Sequence, residues 1–328
     1  MLPEFTEFDK KIWEKELEDF VPDSVFDAHC HIWSEAFKKN NTQDTSGLRM
    51  EIALEDLHRW SLTLFPGRNM GYVPLPTPLK DIDYSGHNDW TAAEAHSAKS
   101  VGIPLPVIPT MLVVPGMDKD EISLRAERDG VKVLKPYRVY ADDPKNGVIT
   151  DFFPETFMEA ADEHHLAVTL HLSKETGSAD EQNLKDLALF TRKYPNIRWI
   201  LAHCARAFNS VHLEDAVHRL AKMENVFVDT SAVNDTYTHY LLFKYFDREK
   251  ILFGTDNVAA GSARGKYITF GYGWEGYVGK ESLEHCDSRC TFIVYEQLRC
   301  QKQAAEMIDL TKSEIENLFY RNSMKFFS

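Results

Sequence analysis

The chain is 328 residues long, 43% hydrophobic and 27% charged, with 37 basic against 51 acidic residues and a net charge of −14. That is the composition of a soluble globular protein. It is longer than the roughly 250 residues typical of an eight-fold β/α barrel. The negative charge works against nucleic-acid and anionic-membrane partners, whose phosphates would repel it.

No apolar stretch reaches the ~20 residues that cross a bilayer, and the opening segment lacks the apolar run of a secretory leader. A cytoplasmic single domain over residues 1–328 is the expectation. Cys30, Cys204, Cys286, Cys290 and Cys300 form no C-x-x-C pair and read as reduced thiols.

In chain order, Glu4–Phe20 mixes aromatic with charged residues and predicts a helix on the outside of the fold. The first strand is predicted at Ser24–His31. Side chains two apart on a strand share a face, so His29 and His31 can converge on one ion. Residues 34–66 form an insertion with a helix near Ile52–Leu64, expected as a lid over the mouth.

Further strands are predicted at Met70–Leu75, Leu105–Leu112, Val131–Pro136, Ala167–Leu172, Ile197–Cys204, Val226–Thr230 and Ile251–Thr255. Their near-continuous apolar character suits parallel strands covered on both faces. Helical segments lie between them at Asp89–Ser100, Lys119–Arg128, Pro154–His164, Asp180–Lys193, Leu213–Met223 and Thr236–Phe246. A Gly- and Tyr-rich loop is read at 261–279, then terminal helices at Thr291–Met307 and Ser313–Phe319. The alternation predicts an α/β fold, a (β/α)8 TIM barrel with an N-terminal helix, a lid-like insertion after strand 1 and extra C-terminal helices. An open doubly wound sheet is the weaker reading, because no glycine-rich phosphate-binding turn follows an early strand.

In parallel barrels the reacting groups stand at the carboxyl ends of the strands. His29, His31, His171, His203 and Asp256 each close an apolar run there. A catalytic zinc-type centre needs three or four N/O ligands and an open position. His29, His31, His171 and Asp256 meet that requirement, Asp256 also being placed to accept a proton from an activated water. His203 remains as an acid/base group or as the group that polarises a substrate carbonyl. Singly, each residue has a plainer reading: a strand histidine bonded to a core carbonyl, or Asp256 as a helix cap.

The run Asp27-Ala28-His29-Cys30-His31, the later Gly254-Thr255-Asp256 and the closing Ile315–Asn322 segment together resemble the amidohydrolase superfamily. The likeness is to its amidohydrolase-related branch of aminocarboxymuconate-semialdehyde decarboxylase-like metal-dependent enzymes. That resemblance implies one divalent ion, zinc first and manganese second, held by His29, His31, His171 and Asp256, with His203 catalytic. It implies a small carboxylated substrate whose ester, lactone or amide bond is hydrolysed by metal-activated water. The alternative it admits is non-oxidative decarboxylation of an aromatic or muconate-like acid. Lys135 ends the fourth strand, where binuclear relatives carry a carboxylated lysine, and is read here as a cation for the substrate. Arg206 and Arg264 are candidates to fork onto an anionic group, and Arg138 and Trp33 to wall the pocket. Aromatic residues and helices outside the barrel suggest a homodimer.

Overall fold

A computed structural model describes residues 3–39, 51–277 and 283–328. Part of the expected lid (40–50) and the end of the Gly/Tyr-rich loop therefore lie outside the described residues. Eight parallel strands follow one another: β1 Ser24–His31, β2 Asn69–Leu75, β3 Thr110–Val113, β4 Val133–Pro136, β5 Ala167–Leu170, β6 Arg198–Leu201, β7 Val226–Asp229 and β8 Ile251–Leu252. β1 pairs with β2, and β3 to β8 pair in sequence order. Regular pairing lapses at two seams, and backbone bonds cross both. Tyr72 N–H donates to Pro106 O at 3.1 Å and Ile108 N–H to Tyr72 O at 2.9 Å; on the other side Ala28 N–H donates to Phe253 O at 2.8 Å.

The helices between strands arise from ordinary local signals. Asp180 accepts from the N–H groups of Gln182 and Asn183 at 3.0 Å and opens the helix Glu181–Lys193. Leu184, Leu187, Phe190 and Thr191 form its buried stripe. Among the described residues, no helix is long and apolar enough to cross a membrane.

Four elements differ most from expectation. Regular β3 begins at Thr110 rather than Leu105, because Pro104, Pro106 and Pro109 supply no N–H to a ladder. β6 ends at Leu201 instead of running to Cys204, because the chain leaves extended geometry there. The segment read as a Gly/Tyr-rich loop contains an antiparallel hairpin, β9 Lys266–Phe270 and β10 Gly273–Tyr277, turning at Gly271 with φ +50°. Its glycines hid the strand alternation. The N-terminal helix is shorter than expected, Glu7–Ile12 continuing as a wider turn over Trp13–Leu17. Within the insertion, the helix Leu54–Leu64 buries Leu57, Trp60 and Leu64, and the Trp60 indole donates to Ser262 Oγ at 2.8 Å.

The barrel interior is filled by Phe26, Ala28, Val73, Leu75, Ile108, Val133, Ala167, Ile200 and Leu252. Phe326 of the last helix, Asn322–Phe327, joins this cluster from below. Its ring meets Phe227 at 4.5 Å, and Phe327 stacks on Phe26 at 5.7 Å.

Candidate metal centre

Strict alternation would turn His29 and His31 away from the interior that Phe26 and Ala28 face. An extra residue in β1 resolves this: Asp27 pairs with Tyr72 and Cys30 with Pro74, three residues against two. Such a bulge re-aims the side chains beyond it. Asp27 anchors the bulge, its Oδ1 accepting from Thr255 N–H at 2.9 Å and His29 N–H at 3.2 Å. Opposite, Gly254 provides the room: a Cβ there would lie 2.7 Å from the Cβ of His29.

His29, His31 and Asp256 bring one ligand atom each within 4.8 Å of one another, all buried. Asp256 Oδ1 lies 3.0 Å from His31 Nε2 and 3.6 Å from His29 Nε2. Burial pushes Asp256 upward, but the His31 bond and the surrounding imidazoles hold it well below the usual carboxylate range, so it is an anion. Two imidazole nitrogens and a carboxylate oxygen form a donor set suited to a zinc- or manganese-type divalent ion. A second close group, His29, His203 and Asp229, shares His29 with the first.

His171 joins neither close group. Its ring stands 5.0 Å from that of His203, and its Nδ1–H donates to the Leu172 carbonyl at 2.9 Å. Burial, followed by the His203 charge, holds it neutral. His203 lies 4.9 Å from the His29 ring, and burial lowers it to about 4. Its backbone is unusual: His203, Cys204, Ala205 and Arg206 all have positive φ, between 51° and 59°. Left-handed geometry costs an L-residue roughly 1–2 kcal/mol, and such runs persist where the surroundings enforce them. Here Asp229 Oδ1 accepts from His203 N–H at 3.0 Å. Gly177 abuts the far end of the turn, where a Cβ would come 2.8 Å from the Arg206 carbonyl oxygen.

Lys135 is 1% exposed and makes no ion pair within 4 Å among the described residues. Burial lowers it to about 8 against the pull of Asp229 and Asp256. Arg206 is lowered to about 10, first by burial and then by Arg138. Each guanidinium spends one N–H on a backbone carbonyl, Arg138 on Pro144 at 2.7 Å and Arg206 on Lys174. Among the described residues neither has a carboxylate partner.

Two of the expected pocket residues are held by other contacts. Arg264 donates to Asp9 Oδ1 at 3.1 Å and Oδ2 at 2.6 Å, and to the Glu4 and Cys290 carbonyls, so its fork clasps the N-terminal segment. Trp33 is 2% exposed within the main apolar core, its backbone bridged to Ile52.

Five side chains near the cluster escaped the sequence reading. Asp229 ends β7 and Ser231 follows two residues on, both meeting the cluster, and the same strand-end rule applied to Val226-Phe227-Val228-Asp229 would have found the first. Tyr137 Oη lies 3.4 Å from His31 Nδ1. The hairpin contributes Tyr267 and Trp274, which pack with Phe208 at 5.1 Å and 4.3 Å, and Phe208 in turn lies 5.4 Å from His203.

The sequence profile of the amidohydrolase family matches residues 26–328. No curated protein matches the chain. Among solved structures it is similar to 4-oxalomesaconate hydratase from Rhodopseudomonas palustris, at 16% identity and TM-score 0.54 over 92% of this chain and 95% of that one. It is also similar to a probable 2-pyrone-4,6-dicarboxylic acid hydrolase from Acinetobacter baumannii with citric acid bound, at 12% identity and TM-score 0.58 over 92% and 98%. A third is 5-carboxyvanillate decarboxylase from Novosphingobium aromaticivorans, complexed with manganese and 4-hydroxy-3-methoxy-5-nitrobenzoic acid, at 14% identity and TM-score 0.55 over 94% and 96%. At these identities the likeness shows the fold.

Proposed function

Since the chain belongs to the amidohydrolase family, we propose that it is a metal-dependent hydrolase that cleaves an ester, lactone or amide bond of a small carboxylated metabolite. The observation that carries this reading is the buried convergence of His29, His31 and Asp256 within 4.8 Å at the strand ends. His29, His31 and Asp256 would hold one divalent ion, with His171, whose Nδ1–H bond to the Leu172 carbonyl leaves Nε2 free, as a further ligand. A bound ion would lower the pKa of a water to roughly 7 and polarise the carbonyl.

The chain's own groups supply the rest. Asp256, ionised beside the ligand nitrogens, orients the attacking water by accepting a hydrogen bond from it. His203, neutral when resting, serves as acid/base. Lys135 and the Arg138–Arg206 pair, none of them ion-paired among the described residues, receive the substrate carboxylate, Arg through a planar fork. A 5-carboxyvanillate decarboxylase and a 2-pyrone-4,6-dicarboxylic acid hydrolase among the similar folds fit a carboxylated substrate.

Carbon–carbon lysis is the second reading, favoured by one observation: Phe208, Tyr267 and Trp274 form an aromatic wall beside His203, which suits a flat ring acid. Metal analysis of protein purified without added ion, with a screen of lactones, amides and ring carboxylates in ¹⁸O-water, tests both. Hydrolysis places ¹⁸O in the product. Carbon dioxide release with no ¹⁸O incorporation overturns the leading reading in favour of the second, and protein that retains no divalent ion overturns both.

A further inference from the structure

Asp229 stands between the two histidines that differ most in proposed role. Its Oδ2 lies 2.7 Å from His29 Nδ1. Its Oδ1 accepts from His203 N–H at 3.0 Å, Ser231 N–H at 3.1 Å and the Ser231 hydroxyl at 2.5 Å. The hydroxyl proton of Ser231 is therefore committed to the carboxylate. What Ser231 Oγ offers His203 Nδ1, 3.0 Å away, is a lone pair. The Ser231 carbonyl oxygen, also 3.0 Å from that nitrogen, can only accept. Two acceptors facing one imidazole nitrogen require that nitrogen to carry the proton.

We propose that Asp229 and Ser231 are positioning residues that fix His203 as its Nδ1–H tautomer, with a bare lone pair on Nε2, so that His203 enters the reaction as a proton acceptor. This rests on the metal-dependent reading above and narrows it. A bare Nε2 cannot donate to a substrate carbonyl, so carbonyl polarisation by resting His203 is excluded. In hydrolysis the water O–H bond breaks toward Nε2 as the new carbon–oxygen bond forms. The proton then leaves Nε2 with the departing alcohol or amine, and the original tautomer returns. The same carboxylate, through Oδ2, holds His29 with Nδ1 donating and Nε2 free as a ligand atom. One side chain thereby sets both imidazoles.

The test needs no substrate. Protein labelled with ¹⁵N-histidine, metal-free and zinc-loaded, is examined by long-range ¹H–¹⁵N correlation at neutral pH, with His203→Asn assigning the signal. The expected signature is protonated Nδ1 and bare Nε2 at His203. In Asp229→Asn the amide oxygen keeps the three donors of Oδ1 while the amide N–H2 faces His29 Nδ1, so the His29 proton is driven to Nε2, ion affinity falls about 10- to 100-fold, and kcat falls with little change in KM. Ser231→Ala keeps the carbonyl acceptor and so retains the tautomer. An Nε2–H signature at His203 in the unaltered protein overturns the proposal, as does an Asp229→Asn protein with the His29 tautomer and ion affinity both unchanged. If Asp229→Asn does not fold, the unaltered protein's signature decides alone. A protein with the expected tautomer that hydrolyses nothing in the screen would sink the proposed reaction and leave the positioning role standing.

Discussion

The two ends of the barrel are built on opposite principles. At the lower end Phe26, Phe227, Phe326 and Phe327 pack ring on ring and close the cylinder, with the Arg198 guanidinium lying over the Phe326 ring at 4.3 Å. At the upper end His29, His31, Lys135, His203, Asp229 and Asp256 are all buried charged or polar groups, joined by a bulge, a left-handed turn and glycine clearances. Burying such groups costs free energy unless each finds a partner. The lower end supplies the stability that lets the upper end be assembled for chemistry instead, a division expected of this fold.

The sharpest test of that division removes a proposed ion ligand. Asp256→Asn or His31→Ala is expected to empty the ion site and lower turnover by about 1,000-fold or more, while circular dichroism stays that of the folded protein. The converse change is Phe326→Ala at the lower end. It should destabilise by about 3–5 kcal/mol, seen as a lower melting temperature, with kcat/KM unchanged wherever the protein remains folded. A large loss of kcat/KM in Phe326→Ala at low temperature would break the comparison.

Lys135→Met addresses the cost borne by the upper end. Lowering a buried lysine from 10.5 to about 8 corresponds to roughly 3 kcal/mol of penalty on its charged form. The metal-free variant should therefore melt higher than the parent at neutral pH and bind a carboxylated substrate poorly. The sign with pH follows. Lys135 is cationic below about 8, so kcat/KM is expected to fall as pH rises through that value, and the limb should vanish in the variant. Stability of the parent should rise over the same range, since the neutral amine is the form burial favours. The smallest effect is expected at Gly177→Ala. A methyl group there pushes on the Arg206 carbonyl, which should raise KM several-fold with kcat nearly intact.

Much of this arrangement is legible in the residues. β1 lies at the predicted Ser24–His31, and the pairing order follows from strand–helix alternation alone. The strand-end rule located His29, His31, His203 and Asp256 because each closes an apolar run. What sequence could not show has local physical causes. Parity along β1 gives no warning of the bulge, which arises from pairing with β2. Nothing in His203-Cys204-Ala205-Arg206 announces left-handed backbone, because its stabilising partners, Asp229 and Gly177, lie distant in the chain. Arg264 follows Asp256 closely in sequence, yet the buried Asp9 carboxylate captures it. The hairpin 266–277 was masked by glycines at 271, 273 and 276.

The turn at 203–206 has a consequence for how the protein comes into being. Four consecutive L-residues do not hold a left-handed coil unaided, and the acceptor that secures its first N–H arrives only with β7. The histidine is thus presented after its neighbouring strand has docked, and nascent or partly unfolded chains lack it in working form. Catalytic competence becomes a late-ripening property, a signal that the cylinder around it is complete.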